Sequence, residues 1–432
     1  MTRVLDVLID SARVAVLAEN QGIWSLQYDP EWVQRGYDLA PGLPLSTAPI
    51  VDGGSVRPVQ WFFDNLLPEA AARTRLFASL PGKRGDAWDL LERFGAESAG
   101  ALTLLPPGTA QAEGALEPLS VAELQARILA TPRQPLAASA PKKMSLAGAQ
   151  EKLAVVIDGS GALFDPTGAR ASTHILKPDV LQEHYPASAV NEWFCARLAQ
   201  ELRLPVPPVE LRYLPASVYI IQRFDRTVTA GKLERLHTLD AAQLLSLAAG
   251  AKYTESGVAA LREVVAHCRA KAAARIALLR WTLFNALIGN GDAHLKNISL
   301  LAGREGYALA PHYDLVSTGA WARPELLDPR DEAWPQVKLS YPIGQARTFG
   351  ALTVEDCVIF AQELGVPAQT VRRELHRLTS AMLPAAAKIQ HEYAARTDVP
   401  AAVRGEQVRM LESIMHLPLR TMVRQLGTGR LA

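Results

Sequence analysis

Short runs of apolar and polar residues alternate along the first hundred residues, and this pattern predicts β-strands. Asp, Asn-Gln-Gly and Asp-Pro separate the runs, and such residues favour turns. Helical periodicity appears over residues 68–80 and 86–94. The pattern therefore predicts a β-rich N-terminal subdomain over residues 1–107. Its strand-like runs are residues 4–9, 14–17, 23–28 and 101–105.

The pattern changes twice in the next hundred residues. Residues 108–141 are rich in Pro, Ala and Ser and predict a linker, with one helix over 121–129 that has Ser120 as its N-cap. Residues 142–237 predict a mixed α/β unit, because three strand-like runs surround one helical run. The strand-like runs are residues 153–157, 173–177 and 218–221, and the helical run is residues 189–202.

Helical patterns dominate residues 238–432 and predict an all-helical lobe. Only a polar segment around residues 289–314 is expected to interrupt it. The predicted fold class is therefore α+β, with a small β-rich N-terminal subdomain, a mixed α/β lobe and a large helical C-terminal lobe. The predicted helices are residues 239–249, 257–287, 354–364, 367–395 and 401–426.

Composition narrows the class of protein. The 432 residues include 45 Lys and Arg against 44 Asp and Glu, so no global charge favours nucleic acid or a membrane surface. The widely spaced Cys195, Cys268 and Cys357 lack a C-x-x-C pattern, which argues against a disulfide framework or zinc site and fits a reducing cytoplasm. No signal-peptide core or membrane-length apolar run is found. We expect a cytoplasmic protein with no membrane partner.

The polar segment carries the chemistry. Asp292 is followed five residues later by Asn297 and, after a short insertion, by Asp314. The Asp-x-x-x-x-Asn spacing equals that of the protein-kinase catalytic loop, in which Asp receives the proton of the attacking hydroxyl while Asn and a second Asp hold magnesium. Each aspartate alone also fits a turn or cap. Together they predict a phosphotransferase with a kinase-like two-lobed fold that uses ATP and Mg²⁺. The His-Arg-Asp and Asp-Phe-Gly motifs are absent, so it is no ordinary protein kinase.

Three further segments fit the same hypothesis, each with an alternative. Lys177 ends an apolar strand and is placed to reach the nucleotide phosphates, although a lysine there also fits a solvated strand end. Residues 145–152 have small side chains suited to a phosphate loop, or to a tight turn in a linker. Residues 222–225 follow a strand, where backbone groups would meet an adenine and Asp225 a ribose hydroxyl, or where a charged loop simply begins.

Four other features of the sequence have interpretations of their own, two of them inside the polar segment. His294 is expected to order the loop, while Lys296 is suited to neutralise γ-phosphate charge. The pair His267 and Cys268 is predicted to pack rather than react, because adjacent helical residues diverge. The aromatic-acidic run at residues 61–69 fits either a core strand entering a helix or a contact to the second lobe.

Taken in order, these motifs resemble the HipA-type toxin kinases of bacterial type II toxin–antitoxin modules. The residues that carry the resemblance are Trp61 to Pro68, Ser145 to Lys152, His174 to Lys177, Arg223 to Arg226, Asp292 to Asn297 and Tyr313-Asp314. The chain departs from the pattern at Asn290-Gly291-Asp292-Ala293, where Ala-Thr-Asp-Gly is commoner.

The resemblance implies a serine/threonine protein kinase and a role for each site residue. Asp292 would be the catalytic base, Asn297 and Asp314 the magnesium ligands, and Ser145 the autophosphorylated serine whose modification ejects the phosphate loop. The implied ATP-binding residues are Ala147, Gly148, Ala149, Gln150, Glu151, Lys152, Lys177, Gln222, Arg223, Phe224, Asp225, His294, Lys296, Asn297, Tyr313 and Asp314.

The resemblance also implies partners. These are a small helix-turn-helix antitoxin like HipB, operator DNA reached through that antitoxin, and a protein substrate such as an aminoacyl-tRNA synthetase. Two alternatives stay open on the residues alone. One is a kinase of the same fold that acts on a small molecule or lipid, and the other is a chain that serves mainly as a corepressor with its antitoxin.

Overall fold

The structure is a computed structural model that describes residues 2–78, 85–109, 111–131, 134–142, 146–148, 150–229, 231–323, 325–327 and 331–427. The described β-strands are β1 (Arg3–Ile9), β2 (Ala12–Asn20), β3 (Ile23–Tyr28), β4 (Ile50–Val51), β5 (Leu102–Leu105), β6 (Leu116–Pro118), β7 (Leu153–Ile157), β8 (Leu163–Pro166), β9 (His174–Pro178), β10 (Val209–Leu214), β11 (Ala216–Gln222), β12 (Arg226–Thr229), β13 (Lys232–Arg235), β14 (Thr238–Asp240), β15 (Ser299–Gly303), β16 (Gly306–Leu309), β17 (Lys338–Ile343) and β18 (Ala346–Thr348).

The described α-helices are α1 (Pro30–Arg35), α2 (Pro58–Asp64), α3 (Ala70–Ala78), α4 (Ala87–Phe94), α5 (Val121–Ala130), α6 (Ser188–Glu201), α7 (Ala241–Leu244), α8 (Val258–His267), α9 (Lys271–Leu287), α10 (Val354–Glu363), α11 (Ala368–Ala394), α12 (Ala401–Ile414) and α13 (Arg420–Leu426). Among them, none combines the length and the apolar composition needed to cross a membrane.

The chain folds into two compact units. The first contains Met1–Lys177, Ile221–Ala251 and Ser299–Ala310, and the second contains Pro178–Ile220, Lys252–Ile298 and Pro311–Ala432. Each unit is therefore built from segments that are distant in sequence. The predicted α+β class is confirmed.

Sheets form the frame of the first unit. An antiparallel sheet in the order β4-β3-β2-β1-β5 packs its alternate side chains inward, including Leu5, Val7 and Leu26. Strand β7 pairs with β8 on one side and with β9 on the other, and β6 pairs with β8. A third sheet has the order β14-β15-β16. Alternating burial of this kind is what period-2 strand patterns predict.

Helices form most of the second unit. Helix α6 is buried along nearly its whole length, including Asn191 and Phe194, and packs against α11 and α12. The long helix α11 also contacts α9, α10 and α13. The hairpin β17-β18 lies beside α10. An all-round buried helix such as α6 is typical of the centre of a large helical unit.

Most predicted local elements are confirmed within one or two residues. The strands predicted at 23–28 and 153–157 have those bounds as β3 and β7. Ser120 caps α5, because its side chain accepts a hydrogen bond from the backbone of Glu123. The predictions succeeded where the periodicity is regular, and at α5 a capping residue agrees with it.

Three predictions about secondary structure are wrong, and one open alternative is excluded. Residues 239–249 form β14 and the four-residue α7 instead of one helix, because β14 pairs with β15, far away in sequence. Residues 257–287 form α8 and α9, separated at Cys268 without a Gly or Pro to signal the break. The lobe predicted to be all-helical also contains the hairpin β17-β18. Trp61 and Phe62 lie in helix α2, which excludes the strand alternative.

Two smaller differences have clear causes. The predicted linker contains β6, which is paired with β8. Between α12 and α13 the chain makes one π-helical turn at Met415–Leu419. Pro418 lies in this turn and has no N–H to donate, so the regular hydrogen-bond ladder is interrupted there.

The centre of the first unit is a buried cluster of charged side chains around Glu97. Its carboxylate lies 2.6 Å from Lys142 Nζ and 3.1 Å from Arg226 Nη2, and both Arg223 and Arg235 approach to 3.4 Å. Glu97 is only 2% exposed. Burial opposes its ionised form, but the cations outweigh burial and hold the pKa of Glu97 well below its ordinary value. We call these five residues the Glu97 cluster.

Replacing Glu97 by Gln would leave four buried cationic groups around a neutral amide. We expect Glu97→Gln to lower the free energy of unfolding by about 3–5 kcal/mol, as for other buried ion pairs that lose one partner. Denaturant unfolding at neutral pH measures it. The exposed Glu113 supplies the control, since Glu113→Gln should change stability by less than about 0.5 kcal/mol.

Wild type and Glu97→Gln should also differ in how their stability depends on pH. A carboxylate whose folded pKa is lowered stabilises the fold above its unfolded pKa of about 4.3 and loses that contribution as the pH falls. The stability gap between wild type and Glu97→Gln should therefore be full near pH 7 and narrow on acidification below about pH 4. A gap that stays constant with pH contradicts an ionised Glu97.

Candidate active site

The predicted catalytic loop begins where α9 ends. Gly289 has a φ of +68°, and a Cβ there would lie 2.8 Å from Cβ of Pro418, so only glycine fits. Asn290 Nδ2 donates to Asn285 Oδ1 at 2.8 Å, and Asn290 Oδ1 accepts from the Asp292 backbone N–H at 3.0 Å. These bonds fix the backbone at Asp292 from the N-terminal side.

The C-terminal side of the loop is fixed in the same way. The Asp292 carbonyl accepts from the His294 backbone N–H at 3.0 Å and from Asn297 Nδ2 at 2.9 Å. The backbone N–H of Leu295 donates to Ser256 Oγ at 3.1 Å. The spacing of five between Asp292 and Asn297 thus has a structural basis, because the Asn side chain closes the loop onto the Asp backbone.

Residues that follow Asp314 also hold the loop around Asp292. Thr318 Oγ1 accepts from the Gly291 backbone N–H at 2.7 Å and donates to the Gly289 carbonyl at 3.0 Å. Ser317 is anchored in turn, since its backbone N–H donates to Asn191 Oδ1 at 2.9 Å. The segment that follows Asp314 and the catalytic loop are therefore one hydrogen-bonded assembly.

Asp292 differs from its neighbours in exposure. Its side chain is 51% exposed, whereas the other polar side chains of the loop are buried, namely Asn290, His294, Lys296 and Asn297. Its Oδ1 atom accepts a hydrogen bond from the Tyr253 hydroxyl and lies 3.8 Å from His294 Nε2. A fixed loop that presents one carboxylate to solvent suits a group that receives a proton from an incoming substrate.

Asn297 and Asp314 have features expected of magnesium ligands. Because Asn297 Nδ2 donates to the Asp292 carbonyl, its Oδ1 faces away and is suited to a hard cation. Asp314 has a φ of +58°, a left-handed conformation that costs a non-glycine residue about 1–3 kcal/mol and is concentrated at functional sites. Tyr313, before it, donates through its hydroxyl to the Lys296 carbonyl at 2.9 Å.

The first unit contains the predicted phosphate loop. Ser145 and Ala149 lie outside the described residues. Gly148 has a φ of +111°, and its carbonyl accepts from the Glu69 backbone N–H at 3.1 Å. Lys152 Nζ donates to the Ala147 carbonyl at 2.6 Å, and a Cβ on Gly148 would come within 2.5 Å of that ammonium. Glycine at position 148 therefore makes room for the lysine side chain.

A side chain of α3 also holds the phosphate loop. Arg75 Nε and Nη2 donate to Glu151 Oε1 at 3.0 and 2.6 Å, and Glu151 Oε2 accepts from the Leu136 backbone N–H at 2.9 Å. Both oxygens of Glu151 are thus used within the protein. This side chain anchors the loop, and Gln150, beside it, is half-buried.

Lys177 and the predicted adenine segment lie at the ends of strands. Lys177 is 6% exposed on β9. Gln222 is exposed at the end of β11, and the Arg223 backbone N–H donates to the Thr173 carbonyl at 2.9 Å, which attaches this segment beside β9. Phe224 is half-buried. The segment leaves its strand in a defined position, as a hinge would require.

The side chains of Arg223 and Asp225 serve the fold of this segment. Arg223 Nε and Nη2 donate to the two oxygens of Asp225 at 2.9 and 2.6 Å, and the Gly100 backbone N–H donates to Asp225 Oδ2 at 2.7 Å. Burial opposes its charge, but Arg223 and Arg226 lower the pKa of Asp225. With both oxygens bound and the side chain buried, Asp225 extends the Glu97 cluster, and a nucleotide there would meet mainly backbone groups.

Each compact unit thus holds its own part of the predicted set. The second unit contains Asp292, His294, Lys296, Asn297, Tyr313 and Asp314. The first unit holds Ala147, Gly148, Gln150, Glu151, Lys152, Lys177, Gln222, Arg223, Phe224 and Asp225.

Sequence reasoning missed the residues that support the site. Tyr253, which contacts Asp292, lies 39 residues before it, and Arg75 lies 76 residues before Glu151. No fixed spacing identifies such contacts. The sequence gives only a weak indication of the role of Thr318, namely that a hydroxyl residue follows shortly after Asp314.

Comparison with known proteins identifies the family. The family model described as "HipA-like C-terminal domain" matches residues 144–386, and "HipA N-terminal domain" matches residues 5–105. The putative kinase Y4mE of Sinorhizobium fredii is 33% identical over 404 residues, 90% of this chain and 92% of that protein.

A protein and a solved structure, both from Shewanella oneidensis, extend the comparison. Its serine/threonine-protein kinase toxin HipA is 33% identical over 313 residues, 68% of this chain and 70% of that protein. A solved complex of HipA with HipB and its operator DNA matches the fold with a TM-score of 0.79 at 24% identity, covering 99% of this chain and all of that one. The prediction of a kinase is confirmed by these relatives, and the chain belongs to the HipA-like family of kinases.

Proposed function

We propose that this kinase is an ATP- and Mg²⁺-dependent serine/threonine protein kinase that acts as the toxin of a toxin–antitoxin pair. Family membership supports the class of reaction, and the relative named as a serine/threonine-protein kinase toxin supports the type of acceptor. The observation that carries the proposal is Asp292, a half-exposed carboxylate in a loop whose other polar side chains are buried. Asp292 is the catalytic base.

The other site residues bind magnesium and ATP. Asn297 and Asp314 hold magnesium, which supplies neutralisation of phosphate charge. Lys177 contacts the α and β phosphates, residues 147–152 form the phosphate loop, and the backbone of residues 222–224 holds the adenine. His294 orders the loop, while Lys296 and Tyr313 complete the ATP site.

The proposal includes regulation and partners. Ser145 is the autophosphorylated residue, because about two added negative charges beside a loop that must bind ATP would disfavour binding. The antitoxin is a HipB-like helix-turn-helix protein through which the chain reaches operator DNA, as the HipA complex with HipB and operator DNA suggests by analogy. The substrate is a cytoplasmic protein of translation, such as an aminoacyl-tRNA synthetase.

Removing the base should stop the reaction without removing the nucleotide. We expect Asp292→Asn to lower phosphotransfer by about 10²–10⁴-fold, with ATP binding and thermal stability close to wild type because the side chain is exposed. Incubation with Mg²⁺ and γ-labelled ATP followed by phosphosite mapping should place label on Ser145 in wild type only. Wild-type rates in Asp292→Asn would exclude this aspartate as the base.

The magnesium ligands should have a different signature. Asp314→Asn removes one negative ligand charge, so we expect the Mg²⁺ concentration for half-maximal ATP binding to rise at least about tenfold. A fluorescent ATP analogue titrated with Mg²⁺ measures this without catalysis. Asp292→Asn is the control, since its Mg²⁺ dependence should match wild type. An unchanged Mg²⁺ dependence in Asp314→Asn contradicts the assignment.

The contact between α3 and the phosphate loop should affect ATP affinity. Arg75→Ala frees Glu151, and we expect the Kd for ATP to rise about two- to fivefold, the effect of one partly exposed ion pair. Arg73→Ala is matched, because Arg73 also lies on α3 but forms its ion pair with Asp64, at 2.6 Å, whereas Arg75 pairs with Glu151. Equal effects of the two variants on ATP affinity would refute the anchoring role.

A further inference from the structure

The most direct contact to Asp292 comes from a residue outside every predicted motif. Tyr253 follows a 3₁₀ turn (Ala249–Lys252) and donates its hydroxyl hydrogen bond to Asp292 Oδ1. Tyr253 is itself 45% exposed. The hydrogen bond therefore joins two side chains that are both about half exposed.

The ring of Tyr253 is held in place by two neighbours. His294 packs against it edge-on, with ring centroids 4.9 Å apart and planes at 82°. Lys252 Nζ lies 5.0 Å from the ring centroid, within range of a cation–π interaction. Both contacts fix the direction from which the hydroxyl approaches Asp292. His294 belongs to the catalytic loop, so the ring and the loop are positioned together.

The hydrogen bond leaves half of the carboxylate open. Tyr253 engages Oδ1, the atom that also lies 3.8 Å from His294 Nε2. Among the residues that the structure describes, none donates a hydrogen bond to Oδ2 of Asp292. A carboxylate held at one oxygen cannot rotate freely about its terminal torsion, which is otherwise soft. The second oxygen is then presented in one orientation.

We propose that Tyr253 is the positioning residue of the catalytic base. Its hydroxyl holds Asp292 Oδ1 so that Oδ2 accepts a hydrogen bond from the hydroxyl of the acceptor and takes its proton. The acceptor oxygen then bonds to the γ-phosphorus of ATP, the bond from that phosphorus to the β–γ bridging oxygen breaks, and ADP leaves. This inference rests on the proposed function, because it assumes that Asp292 is the base. It adds a residue that acts through Asp292 without contacting the nucleotide.

If the Tyr253 hydroxyl instead blocked the acceptor, its removal would have a different effect. If the Tyr253 hydroxyl occupied the place of the acceptor hydroxyl, removing it would raise the rate or lower the acceptor concentration required. A positioning hydroxyl gives the reverse, because the loss of orientation lowers the rate of the chemical step and leaves nucleotide binding alone.

The test is a double-mutant cycle between Tyr253→Phe and Asp292→Asn. Phe keeps the ring that packs on His294 and removes only the hydroxyl. Transfer of γ-phosphate from labelled ATP to protein and to water is measured in single turnovers, as the rate at saturating ATP and the ATP concentration for half-maximal rate. Tyr185→Phe is the matched control, since Tyr185 is 43% exposed and packs edge-on against Trp321 in the same unit.

We expect Tyr253→Phe to lower the saturating rate about tenfold, the value of a hydrogen bond to a charged group, with the half-saturating ATP concentration unchanged. In the Asp292→Asn background the same substitution should have no further effect, and Tyr185→Phe should equal wild type. A wild-type or increased rate in Tyr253→Phe, or an equal loss in both backgrounds, overturns the positioning role.

The two proposals fail in different ways. If Asp292→Asn keeps the wild-type rate, or wild type transfers no phosphate, the proposed function fails and Tyr253 loses its role with it. If Asp292→Asn is inactive while Tyr253→Phe is fully active, only the role of Tyr253 is refuted. Label mapped to Tyr253 itself would make this residue an acceptor and would also refute positioning.

Discussion

The fold of the first unit depends on one buried carboxylate. Glu97 lies in contact with four cationic side chains that come from three separate parts of the chain. Burying a charge is tolerated only when it is paired and hydrogen-bonded, so these segments must be close together for any of them to be buried. Ser172 Oγ also donates a hydrogen bond to the Glu97 carboxylate, at 2.9 Å. The cluster thereby fixes where the strands, the start of the phosphate-loop segment and the adenine segment meet.

Two cationic side chains of this cluster are destabilised in their charged form, as their pKa values indicate. Burial, reinforced by Arg223, lowers the pKa of Arg226 to about 10, and burial also lowers the pKa of Lys142. The cations exceed the carboxylates that face them even when Asp225 is counted. Such a cluster adds little net stability compared with an apolar core. Its value is geometric, because Arg223 and Lys142 flank the two segments proposed to hold ATP and are held by the same carboxylate.

Sequence predicted those parts of the fold that are local. Strand β3, strand β7 and the cap of α5 follow from periodicity and one capping residue, and the Asp292 to Asn297 spacing was readable because a single loop contains it. Pairing between distant segments was not readable, which is why β14 was predicted as helix. The roles of Glu97 and Tyr253 could not be predicted from the sequence for the same reason. A lone Glu or Tyr carries no signal until the chain brings its partners within hydrogen-bond distance.

The sheet-rich N-terminal region acts on the candidate site through the phosphate loop. The backbone of Glu69 bonds Gly148, and Arg75 bonds Glu151. The ion pair is partly exposed, with side chains 28% and 14% accessible, so it contributes on the order of 1 kcal/mol. Under the proposed autophosphorylation of Ser145, the added negative charge would act against contacts of this size. The proposed regulation therefore acts on a weakly anchored segment, in contrast to the strongly paired and buried Glu97 cluster.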